Sequence, residues 1–188
     1  WLKEKLWVSS AIKKELGFKG EIKYCKHHES HAASSYYTSA FNSSAFITID
    51  GVGETATTSW GVSRENKIET KQEIHFPHSL GLLYSAFTYY CGFKVNSGEY
   101  KLMGLAPFGT PKYVNLIKEN LIQINEDGSF KMDMSYFAYS HSLKMINQKF
   151  CNLFGQPART GESEIPQFYK DVASSIQKVT EEVVMQMA

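Results

Sequence analysis

The chain has 188 residues, 43% of them hydrophobic and 21% charged, a composition that is ordinary for a globular domain with a full core. Lys and Arg are dispersed and the net charge is +1, so no basic tail or stripe argues for nucleic acid, and no apolar run approaches the roughly 20 residues that span a bilayer. The three cysteines are far apart and form no disulfide framework or zinc ribbon, which favours a reducing cytoplasm.

The first half of the chain is predicted to contain two helices and four strands. The spacing of Leu2, Leu6, Ile12 and Leu16 predicts an amphipathic helix over about residues 1–16, which ends at a glycine. A short strand over residues 21–25 and a small-residue helix over residues 29–40 are expected next. Three strands follow at residues 45–50, 57–63 and 67–76, and a polar turn between the last two gives a meander.

The second half is predicted to be mainly helical. A helix over residues 79–91 precedes a Gly-rich loop at 98–109, and Pro111 starts a helix that runs to about residue 124. Residues 125–160 are expected to be irregular, with a hairpin-like turn at 126–129. Pro166 starts a last helix whose apolar positions repeat every 3.6 residues. Because the chain starts without Met and stops within this helix, we expect it to be a piece of a longer protein.

Three histidines lie within five residues, at His27, His28 and His31. Residues four apart on a helix face the same way, so His27 and His31 can share one cation. Asp50 closes a predicted strand and could complete a set of two His and one carboxylate. Spacing alone does not choose the pair, because His28 and His31 at i, i+3 could also converge. A buried structural histidine is the alternative.

A second candidate motif begins at Asp50 and continues through Gly51, Gly53, Glu54 and Thr55. A strand that ends in Asp before glycines lets backbone N–H groups approach phosphate oxygens, and a threonine hydroxyl could add a donor. The alternative is a plain β-hairpin turn, in which Gly and Asp are common for conformational reasons.

The predicted Gly-rich loop at residues 98–109 is the third candidate. Lys101 could face an anionic ligand there, with Glu99 orienting it. The loop has no Gly-Lys-Ser/Thr ending and is therefore not a Walker A motif. An ordinary long connection is the alternative.

Four motifs occur in an order that resembles the N-terminal domain of the NodU/CmcH family of O-carbamoyltransferases. They are residues 27–34 (HHESHAAS), 50–54 (DGVGE), 76–84 (FPHSLGLLY) and 98–109 (GEYKLMGLAPFG). The resemblance covers about residues 24–110. It implies an α/β fold of the actin-like ATPase (ribonuclease H-like) type, with a mixed sheet that contains the three-stranded antiparallel meander flanked by helices.

The resemblance also implies an activity and a set of site residues. Family members make carbamoyl adenylate from carbamoyl phosphate and ATP, and transfer the carbamoyl group to a hydroxyl of a small-molecule acceptor. By position, the ligands of Fe(II) or another divalent cation would be His27, His31 and Asp50. Gly51, Gly53, Glu54 and Thr55 would lie along the phosphates of ATP or carbamoyl adenylate, and Lys101 and Glu54 would be catalytic.

The resemblance finally implies that site segments are missing on both sides of the chain. Residues 1–188 would be one fragment, with residues 1–44 ending a first lobe and residues 45–188 belonging to a second, and the fragment alone would be inactive. Two alternatives stay open: a non-catalytic nucleotide-binding module of actin-like fold, and a tRNA-modifying enzyme of the threonylcarbamoyl type. The neutral charge argues against the tRNA enzyme.

Overall fold

The computed structural model describes residues 7–161 and 164–188. These residues form seven α-helices and five β-strands. In chain order they are α1 (Val8–Leu16), α2 (His27–Tyr36), β1 (Ser43–Gly53), β2 (Ala56–Arg64), β3 (Lys67–His75), α3 (Leu80–Tyr90), α4 (Glu99–Leu105), α5 (Val114–Asn120), β4 (Ile122–Ile124), β5 (Phe130–Met132), α6 (Gln148–Phe154) and α7 (Gln167–Met187). The predicted α/β class, with helices around a three-stranded antiparallel sheet, is confirmed. The predicted mixed sheet is not found, because both sheets in the described residues are antiparallel. The actin-like topology and the two-lobe division stay predictions.

The three-stranded sheet is the predicted meander, in the order β1-β2-β3. Both pairings are antiparallel, and Thr48 on β1 lies opposite Ser59 on β2. Glu65 and Asn66 connect β2 to β3 with φ angles of 51° and 60°. Positive φ at both central residues is the geometry that a two-residue hairpin turn needs to match the strand twist. The polar turn predicted there is therefore confirmed.

Helix α7 organises the core of the second half of the chain. Its apolar stripe of Val172, Ile176, Val179 and Val183 is fully buried, as the 3.6-residue period predicts. The stripe packs against α3, α4 and α5. Aromatic side chains from α3 and α6 also pack in this core. None of the helices in the described residues is both long and apolar enough to cross a membrane.

The predicted Gly-rich loop at residues 98–109 is wrong, because most of it is helical. Helix α4 covers Glu99–Leu105, and a 3₁₀ turn continues it over Ala106–Phe108. Leu102 and Leu105, three residues apart, are buried against the core. Burial of that face outweighs the poor helix propensity of Gly104, which is worth only about 1 kcal/mol.

Other boundaries also differ from the predictions. Helix α5 ends at Asn120, and β4 follows where the helix was expected to continue. The stretch predicted to be irregular contains β5, a 3₁₀ turn at Met134–Tyr136 and α6, although its expected turn does connect β4 to β5. Residues 21–25 form no strand. The first helix begins at Val8 in the described residues, and residues 1–6 of its prediction lie outside them.

Two helices meet β1 near its C-terminal end and define the surroundings of Asp50. Helix α2 packs along β1, and α3 begins beside the strand end. Ser79 caps α3 by accepting a hydrogen bond from the Leu82 N–H at 3.0 Å, and its hydroxyl donates to the Gly51 carbonyl at 2.7 Å. A Cβ at Gly81 would lie 2.6 Å from the Asp50 carbonyl oxygen. Glycine therefore permits the close approach of α3 to this strand.

Candidate metal centre

The first turns of α2 bring His27 and His31 to the C-terminal end of β1. The helix starts at His27, two residues earlier than predicted, so both histidines lie within it. Their rings meet edge to face, with centroids 4.6 Å apart. Asp50 faces them from β1. Helix period and strand position thus bring together the three residues that the sequence proposed as ligands.

Three potential ligand atoms converge at this point. Nε2 of His27 lies 2.6 Å from Oδ2 of Asp50 and 3.0 Å from Nε2 of His31. Nε2 of His31 lies 3.5 Å from the same carboxylate oxygen. Neighbouring ligands of a cation with bonds of about 2.1 Å lie about 3 Å apart. The separations and the donor types, two imidazole nitrogens and one carboxylate oxygen, therefore fit a divalent transition metal.

A backbone contact orients the Asp50 carboxylate. Its Oδ1 accepts a hydrogen bond from the Gly51 N–H at 2.6 Å, which leaves Oδ2 directed at the imidazoles. Partial burial alone would raise the pKa of Asp50, but the hydrogen bonds from His27 and Gly51 and the nearby imidazoles hold that pKa below its usual value. The exposed fractions of the three side chains are between 35% and 54%, so one side of the cluster is open to a ligand.

His28 points away from this cluster and into the protein. It is only 4% exposed, and its Nδ1 lies 2.6 Å from the Ser59 hydroxyl and 2.9 Å from the Thr48 hydroxyl. Burial lowers the pKa of His28, which favours its neutral form. The alternative pair of His28 and His31 is therefore not the one that faces Asp50.

Gly53 lies directly against the histidines. A Cβ built on Gly53 would be 2.3 Å from Cδ2 of His27 and 2.9 Å from Cδ2 of His28. Real non-bonded carbons do not come this close. The glycine that the sequence suggested as a phosphate contact thus has a packing reason, since it gives the imidazoles room beside the strand end.

Glu54 and Thr55 form the exposed tight turn between β1 and β2, and Glu54 has a φ angle of 55°. The backbone thus forms the β-hairpin turn that was the alternative interpretation of this motif. The turn begins next to Gly53 and so lies beside the histidines, where its side chains are accessible to a ligand.

Lys101 lies on α4 and is exposed, and it is not among the residues that line the cleft beside Asp50. Its neighbour Glu99 accepts hydrogen bonds from the Ser85 hydroxyl at 2.8 Å and from the N–H groups of Asn96 and Gly98. The Glu99 carboxylate therefore holds the start of α4.

A cleft of about 720 Å³ opens beside Asp50 and Gly51, between α3, α4 and α7. Its lining is mainly apolar and includes Leu82, Tyr84 and Met103. Polar groups also reach it, among them the Tyr84 hydroxyl, which donates to Gln177 at 2.8 Å. The volume is within the range of small-molecule sites, about 300–1,000 Å³.

The sequence interpretation missed Thr48 and Ser59, the two hydroxyls that contact His28. A signal for Thr48 exists, because it lies two residues before Asp50 and strand alternation places both on one face. Ser59 offered no comparable signal, since its place opposite Thr48 depends on the hairpin register.

Comparison with known proteins agrees with the motifs. The family profile described as "Carbamoyltransferase N-terminus" matches residues 1–188. The chain belongs to this carbamoyltransferase family. Its relatives include the uncharacterised protein sll1178 of Synechocystis, 53% identical over 195 residues that cover all of this chain and 32% of the relative.

Two nodulation proteins are more distant relatives. The chain is 27% identical to nodulation protein NolNO of Sinorhizobium fredii over 186 residues, 97% of the chain and 26% of that protein. It is 28% identical to nodulation protein NolO of Bradyrhizobium diazoefficiens over 160 residues, 84% of the chain and 27% of that protein. The carbamoyltransferase N-terminal chain thus spans about a third or less of the length of these relatives.

Proposed function

We propose that this chain is the cation-binding part of a larger carbamoyltransferase. The larger enzyme makes carbamoyl adenylate from carbamoyl phosphate and ATP, then transfers the carbamoyl group to a hydroxyl of a small molecule. Family membership over residues 1–188 supports carbamoyl transfer, and the small share of each relative that the chain covers supports a larger enzyme. The observation that carries the proposal is the convergence of His27, His31 and Asp50.

These three residues would hold the cation, for which Fe(II) is the first candidate because two His and one carboxylate are its familiar ligand set in non-haem enzymes. When bound, such a cation supplies Lewis-acid stabilisation to phosphate and carbamoyl oxygens. Both imidazoles present Nε2 to this point, and the Gly51 N–H keeps the Asp50 carboxylate aimed at them. The open side of the cluster leaves room for a phosphate or substrate oxygen.

The turn after β1 is proposed to meet the nucleotide phosphates. Glu54 and Thr55 are exposed there, whereas the Gly51 N–H is engaged by Asp50 and Gly53 packs against His27. Gly51 and Gly53 would therefore act by leaving room for the nucleotide and the imidazoles, since neither carries a side chain. Lys101 and Glu54 are proposed as the catalytic residues, and the cleft beside Asp50 supports a small-molecule acceptor.

Metal analysis of the complete protein tests the cation site. We expect the purified wild-type protein to carry a divalent metal and His31→Ala to lose it. His75→Ala is the matched control, because His75 is also an exposed histidine beside a carboxylate, with its Nε2 3.5 Å from Glu73. A His31→Ala protein that keeps its full metal complement contradicts the assignment.

An activity assay tests the reaction. The complete protein is expected to convert ATP to AMP only when carbamoyl phosphate is present. ATP binding without turnover of carbamoyl phosphate would instead favour a non-catalytic nucleotide-binding module. Carbamoyl transfer to tRNA would replace the small-molecule acceptor with the threonylcarbamoyl-type alternative.

A further inference from the structure

We propose that His28 is the positioning residue of the metal centre: buried beneath α2, it sets His27 and His31 against Asp50. This inference rests on the proposed cation site. It concerns a residue that contacts neither the cation nor the substrate, and that acts through the helix and the strand that carry the ligands.

His28 joins α2 to both strands of the first hairpin. Its Nδ1 lies 2.6 Å from the Ser59 hydroxyl on β2 and 2.9 Å from the Thr48 hydroxyl on β1. Thr48 and Ser59 are directly paired across the two strands. One imidazole nitrogen thus contacts a pair of hydroxyls whose relative position is fixed by the β-ladder.

The contacts of His27 and His28 together set the register between helix and strand. His27 and His28 are consecutive on α2, and their partners Asp50 and Thr48 lie two residues apart on the same face of β1. A shift of α2 along β1 by one residue breaks both contacts at once. The close approach of both rings to Gly53 also restricts movement toward the strand end.

The tautomer of His28 follows from its surroundings. In the part of the chain that the structure describes, its buried Nε2 has no hydrogen-bond partner. An orphaned buried N–H is rare, so the proton belongs on Nδ1, which donates to the Ser59 hydroxyl. The Thr48 hydroxyl then donates to the Ser59 carbonyl at 3.3 Å.

Because Nε2 of His28 has no hydrogen-bond partner among the described residues, stabilisation of the fold alone does not explain an imidazole at this position. An apolar side chain of similar size would fill the same space without a buried acceptor that lacks a partner. What an imidazole adds at this position is a directional contact from Nδ1 to the β-hairpin. That contact fixes the helix that presents His27 and His31.

Two substitutions distinguish the role of Nδ1 from that of volume. In His28→Asn the side-chain amide occupies the place of Nδ1, whereas in His28→Gln it occupies the place of Nε2. His28→Asn therefore keeps the contact to Ser59 and leaves a space, while His28→Gln fills more of the space and loses the contact. Ser59→Ala removes the same contact from the other side, and Val179→Ala is a destabilised control, buried in α7.

Cobalt(II) titration of the complete, metal-stripped protein is the first measurement. We expect His28→Gln and Ser59→Ala to weaken cobalt binding about 10- to 100-fold, the usual effect of losing support behind a ligand, with His28→Asn and Val179→Ala within about threefold of wild type. Thermal unfolding of each variant is measured in parallel. If loss of affinity follows loss of stability across all four variants, His28 is merely structural and the inference is overturned.

Metal-free crystal structures are the second measurement and do not depend on cation binding. In His28→Gln, the distance from His27 Nε2 to Asp50 Oδ2 is expected to open from 2.6 Å to beyond hydrogen-bond range, and in His28→Asn to be kept. An unchanged distance in His28→Gln overturns the inference. A wild-type protein that binds no cobalt would instead contradict the proposed cation site. The crystal structures alone would then decide whether His28 positions His27 against Asp50.

Discussion

Gly53→Ala is expected to disturb the histidine cluster by direct contact. The new methyl group would lie 2.3 Å from Cδ2 of His27, whereas non-bonded carbons pack at about 3.5–4.0 Å. The ring must therefore move by at least about 1.2 Å. That movement breaks the 2.6 Å contact between His27 Nε2 and Asp50 Oδ2, because the hydrogen bond does not survive such a displacement.

Two effects follow and are measured separately. Overpacking beside the strand end is expected to lower the free energy of unfolding by about 1–3 kcal/mol, as measured by urea denaturation. Displacement of a ligand is expected to weaken cobalt(II) binding by at least about tenfold, as measured by titration. Gly104→Ala is the control, since Gly104 is exposed and nothing lies within 4 Å of its Cβ position. It should raise the free energy of unfolding by about 0.5–1 kcal/mol and leave cobalt binding unchanged.

The combination of results decides which part of the reasoning fails. Wild-type stability and wild-type cobalt affinity in Gly53→Ala would refute the close packing of His27. Reduced stability with unchanged affinity would show that the displaced imidazole is not a ligand, and would therefore contradict the metal centre.

The remaining predictions concern two buried groups outside the cluster. Burial alone would raise the pKa of Asp171, but hydrogen bonds from Lys112, the Thr110 N–H and Gln167 lower it. The Asp171 carboxylate therefore contributes fully to the free energy of unfolding above about pH 4, and this contribution is lost as the pH falls through the folded-state pKa. The difference in free energy of unfolding between wild type and Asp171→Asn should thus shrink from pH 7 to pH 3. A constant gap in urea unfolding would contradict this. Burial raises the pKa of Cys91 to about 12, so iodoacetamide at pH 8 should modify the exposed Cys25 and spare Cys91. Peptide mass spectrometry would detect the modified cysteine. Equal rates of modification at Cys25 and Cys91 would refute this prediction.

Features with a regular period were the ones that the sequence predicted well. The 3.6-residue stripe of α7 reflects burial of one face of the helix, which a single segment reveals by itself. The convergence of His27 and His31 needed only one helical turn. In these cases the residues are close in sequence, so the geometry of a single helix determines which of them lie on the same face.

Features that depend on distant partners were missed. Three glycines suggested a loop at residues 98–109, but burial of Leu102 and Leu105 against the core made α4. Strand β4 has three residues, too few to show a period, and forms because β5 pairs with it. The contact from His28 to Ser59 spans 31 positions of sequence and requires the register of the β1–β2 hairpin. No local pattern encodes such a contact.

The proposed ligand atoms of the cation come from two elements that are distant in sequence. His27 and Asp50 are 23 positions apart, and the chain between them carries the rest of α2 and most of β1. A cation shared by both would act as a cross-link that closes this loop, as a disulfide does. By loop-closure entropy, a link of that span stabilises a fold by about 3 kcal/mol. Removal of the cation would therefore loosen the attachment of α2 to the sheet as well as remove a chemical group.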